Sequence, residues 1–259
     1  VGRLYTLFKW EMNDLIKAIL LFVGVFLIGM SMKQSMMWIM SISGGGSGVH
    51  TELLLSLFGT SRSDGVGMVI YRSLSLDDVW TLMSFLILLL GALTFRYDRD
   101  SGIAKSVYSL PYSNDEIFGA KLLSFLVYGF AMILIPFAYV ALTTHASIAG
   151  YLPEITSSFL GNMLIIVVFL VLYMTSVATL VSLASPNAFL AFMAGFALIY
   201  APKILENPDI PPQLFMYALR RSPSSNFTPF TSQYLGWGIL VPLVLFVLSW
   251  ILIRRRDVV

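Results

Sequence analysis

The sequence predicts an all-α membrane protein with six transmembrane helices, and three observations predict it. Hydrophobic residues form 58% of the 259 positions and charged residues 12%, with a mean hydropathy of +0.83. A soluble domain carries about a quarter charged residues. Apolar runs at 15–32, 79–95, 122–144, 159–183 and 235–253 are long enough to cross a bilayer core about 30 Å thick, and a sixth, 188–201, is short. Basic residues are also unevenly divided. With the N-terminus placed inside, the inner side collects Arg3, Lys9, Lys17, Arg96, Arg99, Lys105, Lys121, Arg254, Arg255 and Arg256, and the outer side six others. That bias puts both termini in the cytoplasm, in a multi-pass protein of the cell membrane. The 14 acids divide evenly between the two sides, so they cast no contrary vote. Residues 1–259 read as a single transmembrane domain.

The elements follow in order. Residues 3–17 read as an amphipathic helix, with Leu4, Phe8, Met12 and Leu15 on one face and Thr6, Lys9, Asn13 and Lys17 on the other. Tyr5 and Trp10 suit the headgroup region, so this helix is expected to lie on the inner leaflet and bend into the first span. No cleavable signal peptide is expected, because the first apolar run ends without an A-x-A-like site. The outer loop 33–78 holds Gly44-Gly45-Gly46-Ser47-Gly48. A phosphate-binding loop would close on Gly-Lys-Ser/Thr; here Val49-His50-Thr51 follows, which leaves a flexible tether.

The second span carries a track of small residues, Ser84, Gly91 and Thr94, and Pro136 is expected to kink the third. On the fourth, Thr175, Thr179 and Ser182 recur at helical spacing, with Asn162 near the outer end. Such residues either pack helices closely or line a substrate path. In the outer loop 202–234, Pro202, Pro208, Pro211 and Pro212 break the chain, and 213–221 reads as a short helix with Leu214, Tyr217 and Ala218 on one face. With the fifth span rising only ~21 Å, this outer segment is expected to be broken or re-entrant. Asn226-Phe227-Thr228 is a glycosylation sequon.

The densest polar stretch is 96–121, with four acids and four bases between two apolar runs. Asp100 or Ser101 is placed to cap a short helix to Ser109, with Ile103, Val107 and Leu110 on one side, before Pro111 stops it. Ser113 and Glu116 then stand at capping-box spacing, with Asp115 in the first turn of the helix that becomes the third span. A short helix held between two spans can pass on a push from a partner in the water phase.

Missing residue types exclude other chemistry. No Asp, Glu, Lys, Arg or His falls near the middle of a span, where an ion-coupled carrier keeps its coupling site. The two histidines, His50 and His145, fall at or beyond the outer surface, and no His-Glu-x-x-His or Gly-x-Ser-x-Gly is present. Without cysteine there is no disulfide and no thiolate site. No catalytic, cofactor-binding or metal-binding residue is assigned, and the net charge of +2 reflects the inner rim, with no nucleic-acid partner implied.

At 96–121 the chain resembles the permease subunits of the ABC-2 class of ATP-binding-cassette transporters. Their first cytoplasmic loop is patterned Glu-x-x-x-Gly-Thr-Leu … Leu-x-x-Pro-x-Ser-Arg … Lys. Here Asp98 stands for the acid, Gly102 for the glycine, Leu110 or Ser109 near the leucine, Pro111 for the proline, Ser113 for the serine and Lys121 for the lysine. The closing Arg254-Arg255-Arg256-Asp257 resembles the basic ending common in that class. The sequence departs from the pattern at Asp98, at Ile103 in place of threonine and at Asn114 in place of arginine.

The resemblance implies an elbow helix at the N-terminus and a coupling helix at 101–110 that docks on an ATPase. Asp98, Asp100, Gly102, Ile103, Val107, Leu110, Pro111, Ser113 and Lys121 would form the coupling loop. The turn Ala184-Ser185-Pro186-Asn187-Ala188 would be a smaller second contact. It further implies a second permease copy, as homo- or heterodimer, and separate nucleotide-binding subunits that hold ATP and Mg. This chain would then be a non-catalytic exporter subunit. Two other classes compete: an ion-coupled or facilitative carrier, which would transport without an ATPase, and a membrane-embedded enzyme, which needs reactive side chains this sequence lacks.

Overall fold

The computed structural model describes residues 2–42, 73–97, 100–102, 112–143, 160–205, 207–221 and 227–255, and every structural statement below concerns those residues. Their regular structure is entirely helical. Helix α1 is Gly2–Met12 and α2 is Leu15–Ile42. Helix α3, Asp77–Tyr97, ends in a π-helical stretch at Ala92–Tyr97. Helices α4 (Asn114–Thr143), α5 (Gly161–Ala184), α6 (Ala188–Ile204) and α7 (Gln213–Arg221) follow. The last helix, α8, starts as Ser232–Leu235, passes through a π turn at Gly236–Leu240 and runs on as Val241–Arg255.

Helices α2, α3, α4, α5 and α8 are long and apolar enough to cross a membrane; α6, with 17 residues, is shorter. They form one bundle with α3 and α5 at its centre. In their apolar stretches 67% and 72% of residues are buried, against 22% in α2 and in α8. The core joins Met83, Ile87 and Leu90 of α3, Phe125 of α4 and Leu170 and Met174 of α5. Outward lie Phe22 and Phe26 of α2, Phe189 and Leu198 of α6, and Leu243 and Val247 of α8, all exposed. An apolar rim this extensive belongs in lipid. The fold is that of an all-α, multi-pass membrane protein.

Local sequence explains most helix ends. Asn187 caps α6, its side chain accepting from the Leu190 amide at 2.8 Å, and Thr231 caps α8, accepting from the Tyr234 amide at 3.4 Å. Asp77 and Asp78 sit in the first turn of α3, at the positive end of its dipole. Helix α2 continues to Ile42, ten residues past the apolar run, because Lys33 and Gln34 end hydropathy without ending backbone hydrogen bonding. Helix α6 likewise outlasts its run, reaching Ile204 with Pro202 in its last turn. Gly29 of α2 lies against Pro136 of α4: a methyl group on Gly29 would stand 3.4 Å from the proline Cβ.

Two expectations need correction. The stretch 3–17 is two helices, not one. The chain turns at Asn13, and Asp14 opens α2 by accepting from the Ile16 amide at 3.0 Å. The face that α1 buries is Leu7 and Glu11, with Leu4 exposed and Leu15 lying on α2, 71% exposed. Apolar spacing alone could not find that face, because a buried glutamate is part of it. In α7 the buried residues are Leu214, Phe215, Met216, Ala218 and Leu219; Tyr217 points out, with the Arg220 guanidinium 5.7 Å from its ring. The runs Gly44–Gly48 and 103–111, both histidines and Asn226 lie outside the described residues.

Candidate functional site: the polar end of the bundle

The end of the bundle that carries α1 gathers most of the described ion pairs. The first turn of α4 is closed reciprocally, as the Ser-x-x-Glu spacing predicts. The Ser113 amide donates to Glu116 Oε2 at 2.9 Å, and the Glu116 amide donates to Ser113 Oγ at 3.2 Å. Asp115, one residue earlier, faces α8. It accepts from the Trp250 indole at 2.8 Å and from Arg254 Nε at 3.1 Å, while the Arg254 guanidinium stacks 3.9 Å from the Trp250 ring. Arg254 therefore holds the end of α8 to the start of α4. The side chains of Arg255, Arg256 and Asp257 lie outside the described residues.

Beneath this surface is a buried charge cluster. Glu11 of α1, 3% exposed, pairs through Oε2 with Lys17 of α2 and through Oε1 with Lys121 of α4, the latter at 2.9 Å. Lys121 Nζ also donates to the Thr94 carbonyl, inside the π stretch of α3, at 3.2 Å. Asp14 stands 3.5 Å from Lys17, and the Tyr128 hydroxyl donates to the Met12 carbonyl at 2.9 Å. Glu11, Lys17 and Lys121 are buried and Asp14 is half-exposed, and the two carboxylates match the two lysines in number. Removing one partner of such a buried pair costs about 3–5 kcal/mol.

A third junction ties the 100–121 segment to the α5–α6 turn. Arg96 Nε pairs with Asp100 Oδ1 at 2.8 Å, and the Arg96 guanidinium donates to the Pro186 carbonyl. Asp100 Oδ2 accepts from the Ala188 amide at 2.8 Å, at the first turn of α6. Ser101 Oγ donates back to the Tyr97 carbonyl at 2.8 Å, and Gly102 takes φ +77°, a left-handed conformation that favours glycine and ends the helical path. Asp100 thus reaches back to Arg96 and across to α6, and Ser101 reaches back to Tyr97. A carboxylate at the first turn of α6 is favoured by the positive end of that helix and by the Arg96 charge beside it.

Of the coupling-loop residues named from sequence, Asp100, Gly102, Ser113 and Lys121 are described and lie at this one end. Asp98, Ile103, Val107, Leu110 and Pro111 lie outside the described residues. Among the pathway candidates, Thr175, Thr179 and Ser182 are buried; Thr175 and Thr179 donate to the carbonyls of Val171 and Thr175 within their own helix, each at 2.8 Å. Thr175 also closes α5 on α4, where a methyl group on Gly129 would lie 3.2 Å from its Cγ2. Asn162 donates to the Phe227 carbonyl at 3.3 Å and holds the approach to α8.

Sequence reading missed Glu11, Lys17 and Arg96 as site residues. Two acids and a lysine within 11–17 were its only signal, and their partner Lys121 is more than a hundred residues away. Among the described residues no cluster of three or more His, Asp or Glu side chains could hold a metal ion.

At the opposite end, α7 covers the bundle. A small, half-open pocket of about 30 Å³ lies between α3, α5, α6 and α7, beside Trp80, Tyr200, Lys203 and Gln213. Arg220 reaches Asp77 there at 3.1 Å, with both side chains exposed, a pair of little energetic weight.

Residues 30–202, about two thirds of the chain and everything from late α2 to the last turn of α6, match the family model described as ABC-2 family transporter protein. No curated protein matches the chain.

Proposed function

We propose, since this chain belongs to the ABC-2 family of transporter proteins, that it is the permease subunit of an ATP-driven exporter. It would pair with a second permease copy and be served by separate ATPase subunits that bind ATP and Mg. The observation that carries this reading is the convergence at one end of the bundle. The 100–121 segment and the 185–187 turn, the two connections expected to face the cytoplasm, are bonded to each other through Arg96 and Asp100. A partner docking on 101–110 would then press on α3, α4 and α6 together. Helix α1 is read as the elbow, with Tyr5, Lys9 and Trp10 exposed toward headgroups.

Helix α6 is read as a full crossing, the fifth of six in chain order. Its 17 residues rise ~26 Å, at the short end for a span. Six crossings agree with the pairing of both Glu11 and Asp115 at the start of α4, which brings α1 and the end of α8 to one side. The basic bias makes that side the cytoplasm. A single cysteine placed at Ser106 is expected to resist an impermeant reagent added to intact cells and to react after permeabilisation. The natural chain has no cysteine to confuse the result. Labelling from outside would invert the topology.

Nucleotide work is assigned to another chain, because Gly44–Gly48 lacks the lysine and hydroxyl of a phosphate loop. The purified subunit alone is expected neither to bind nor to hydrolyse ATP, and ATP turnover is expected to accompany an ATPase that co-purifies with it. Turnover by the isolated subunit, persisting after contaminating ATPases are removed, would overturn the reading.

A further inference from the structure

We infer that Glu11 is a positioning residue of the transport cycle, a buried strut that carries movement of the 100–121 segment into α1 and α2. The inference rests on the permease reading above and adds to it a residue outside the matched region.

The geometry is specific. One carboxylate sends its two oxygens to lysines on two different helices, Lys17 on α2 and Lys121 on α4. Lys121 in turn holds the Thr94 carbonyl of α3. Four elements therefore meet at one charge. Lys121 stands after the docking segment 101–110, on a helix whose first turn is fixed by the Ser113–Glu116 box.

The apolar hold of α1 lies mainly along α4. Leu7 joins Ile117 and Ala120 in a small cluster flanked by Phe8 and Tyr112, and Met12 packs against the main core. Apolar faces can slide over one another at small cost. Opposite charges out of water cannot, because separating them by even a few ångströms loses a large Coulomb attraction that no solvent replaces. The Glu11 pairs thus make the apolar contact a directional one. They also place the Lys121 amine inside the protein, where it serves α1 and α3 and is not available to a docked ATPase.

The test uses the complex with its ATPase subunit and compares Glu11→Gln with the charge-balanced pair Glu11→Gln/Lys121→Met. Its readout is the ratio of ATP turnover in the complex to that of the ATPase alone. For the single variant the expected result is retained co-purification with a ratio lowered about tenfold, within the usual range of coupling between sites. The double variant removes one charge of each sign, leaving Lys17 with Asp14. It is expected to recover thermal stability while the ratio stays low, and it carries the test if the single variant fails to fold. Recovery of both stability and ratio would make the cluster merely structural and overturn the inference.

A second arm needs no ATPase. Spin labels at Lys9→Cys and Leu123→Cys, both exposed positions, should give a narrow α1–α4 distance distribution that broadens when Glu11→Gln is added. An unchanged distribution would overturn the strut. Absence of any co-purifying ATPase with the natural chain would instead overturn the permease reading.

Discussion

Replacing Ile103 and Val107 together with aspartate is expected to abolish co-purification of the ATPase subunit, and with it permease-dependent ATP turnover. Both residues are expected on the apolar side of 101–110, the segment expected to dock. Docking would bury two new carboxylates without partners, a cost of several kcal/mol at the contact. Binding of moderate strength does not survive a loss of that size, since every 1.4 kcal/mol is tenfold in affinity. Neither residue is expected in the bilayer, so insertion and yield should hold. Changes of equal number at Gly44–Gly48, in the expected outer tether, should leave assembly intact. Full assembly and turnover in the loop variant would remove the main support for ATP coupling through this segment.

The second large effect is expected inside the bundle. Gly238 lies in the π turn of α8, where a methyl group would stand 2.4 Å from Phe169 Cγ and 2.7 Å from Phe169 Cβ. The nearer atom belongs to a ring root and the other to the stem of the side chain, so a rotamer change cannot clear both. Helix α8 would have to move off α5. Gly238→Ala is expected to destabilise by about 1–3 kcal/mol, the usual cost of overpacking, and Gly238→Leu to prevent a stable fold. Gly236, two residues earlier in the same turn, has open space around it. Gly236→Ala should be neutral or slightly stabilising, because alanine is the better helix former. Thermal unfolding of the detergent-solubilised pair checks this, and equal behaviour of the two alanine variants would refute the close contact at Phe169.

These contrasts mark what sequence reading reaches. The five long spans were legible because a bilayer imposes a length and a composition, and both can be counted. The Ser113–Glu116 box was legible because its partners lie three residues apart and the motif is entirely local. The π turns were not, since widening a helix by one residue leaves no compositional mark on Ala92–Tyr97 or Gly236–Leu240. Lys121 was noticed through its place in a motif, yet its partners Glu11 and Thr94 come from other helices and leave no spacing to find. Asp100 shows the same limit. Its bond to the Ala188 amide has no sequence signal, because α6 approaches only when the whole bundle has formed.

The attachment of α8 also bears on the order in which the bundle is made. Chains are built from the N-terminus, so α2 to α6 are available to pack before α8 has been synthesised. Until then the flank of α5 around Phe169 and Tyr173, which α8 covers through Gly238 and Trp237, must rest against lipid. Asp115 waits for Arg254 and Trp250 over the same interval. Closure of the bundle therefore waits for α8, a late helix that slots into a groove already shaped for a glycine and is fastened at its far tip by an arginine.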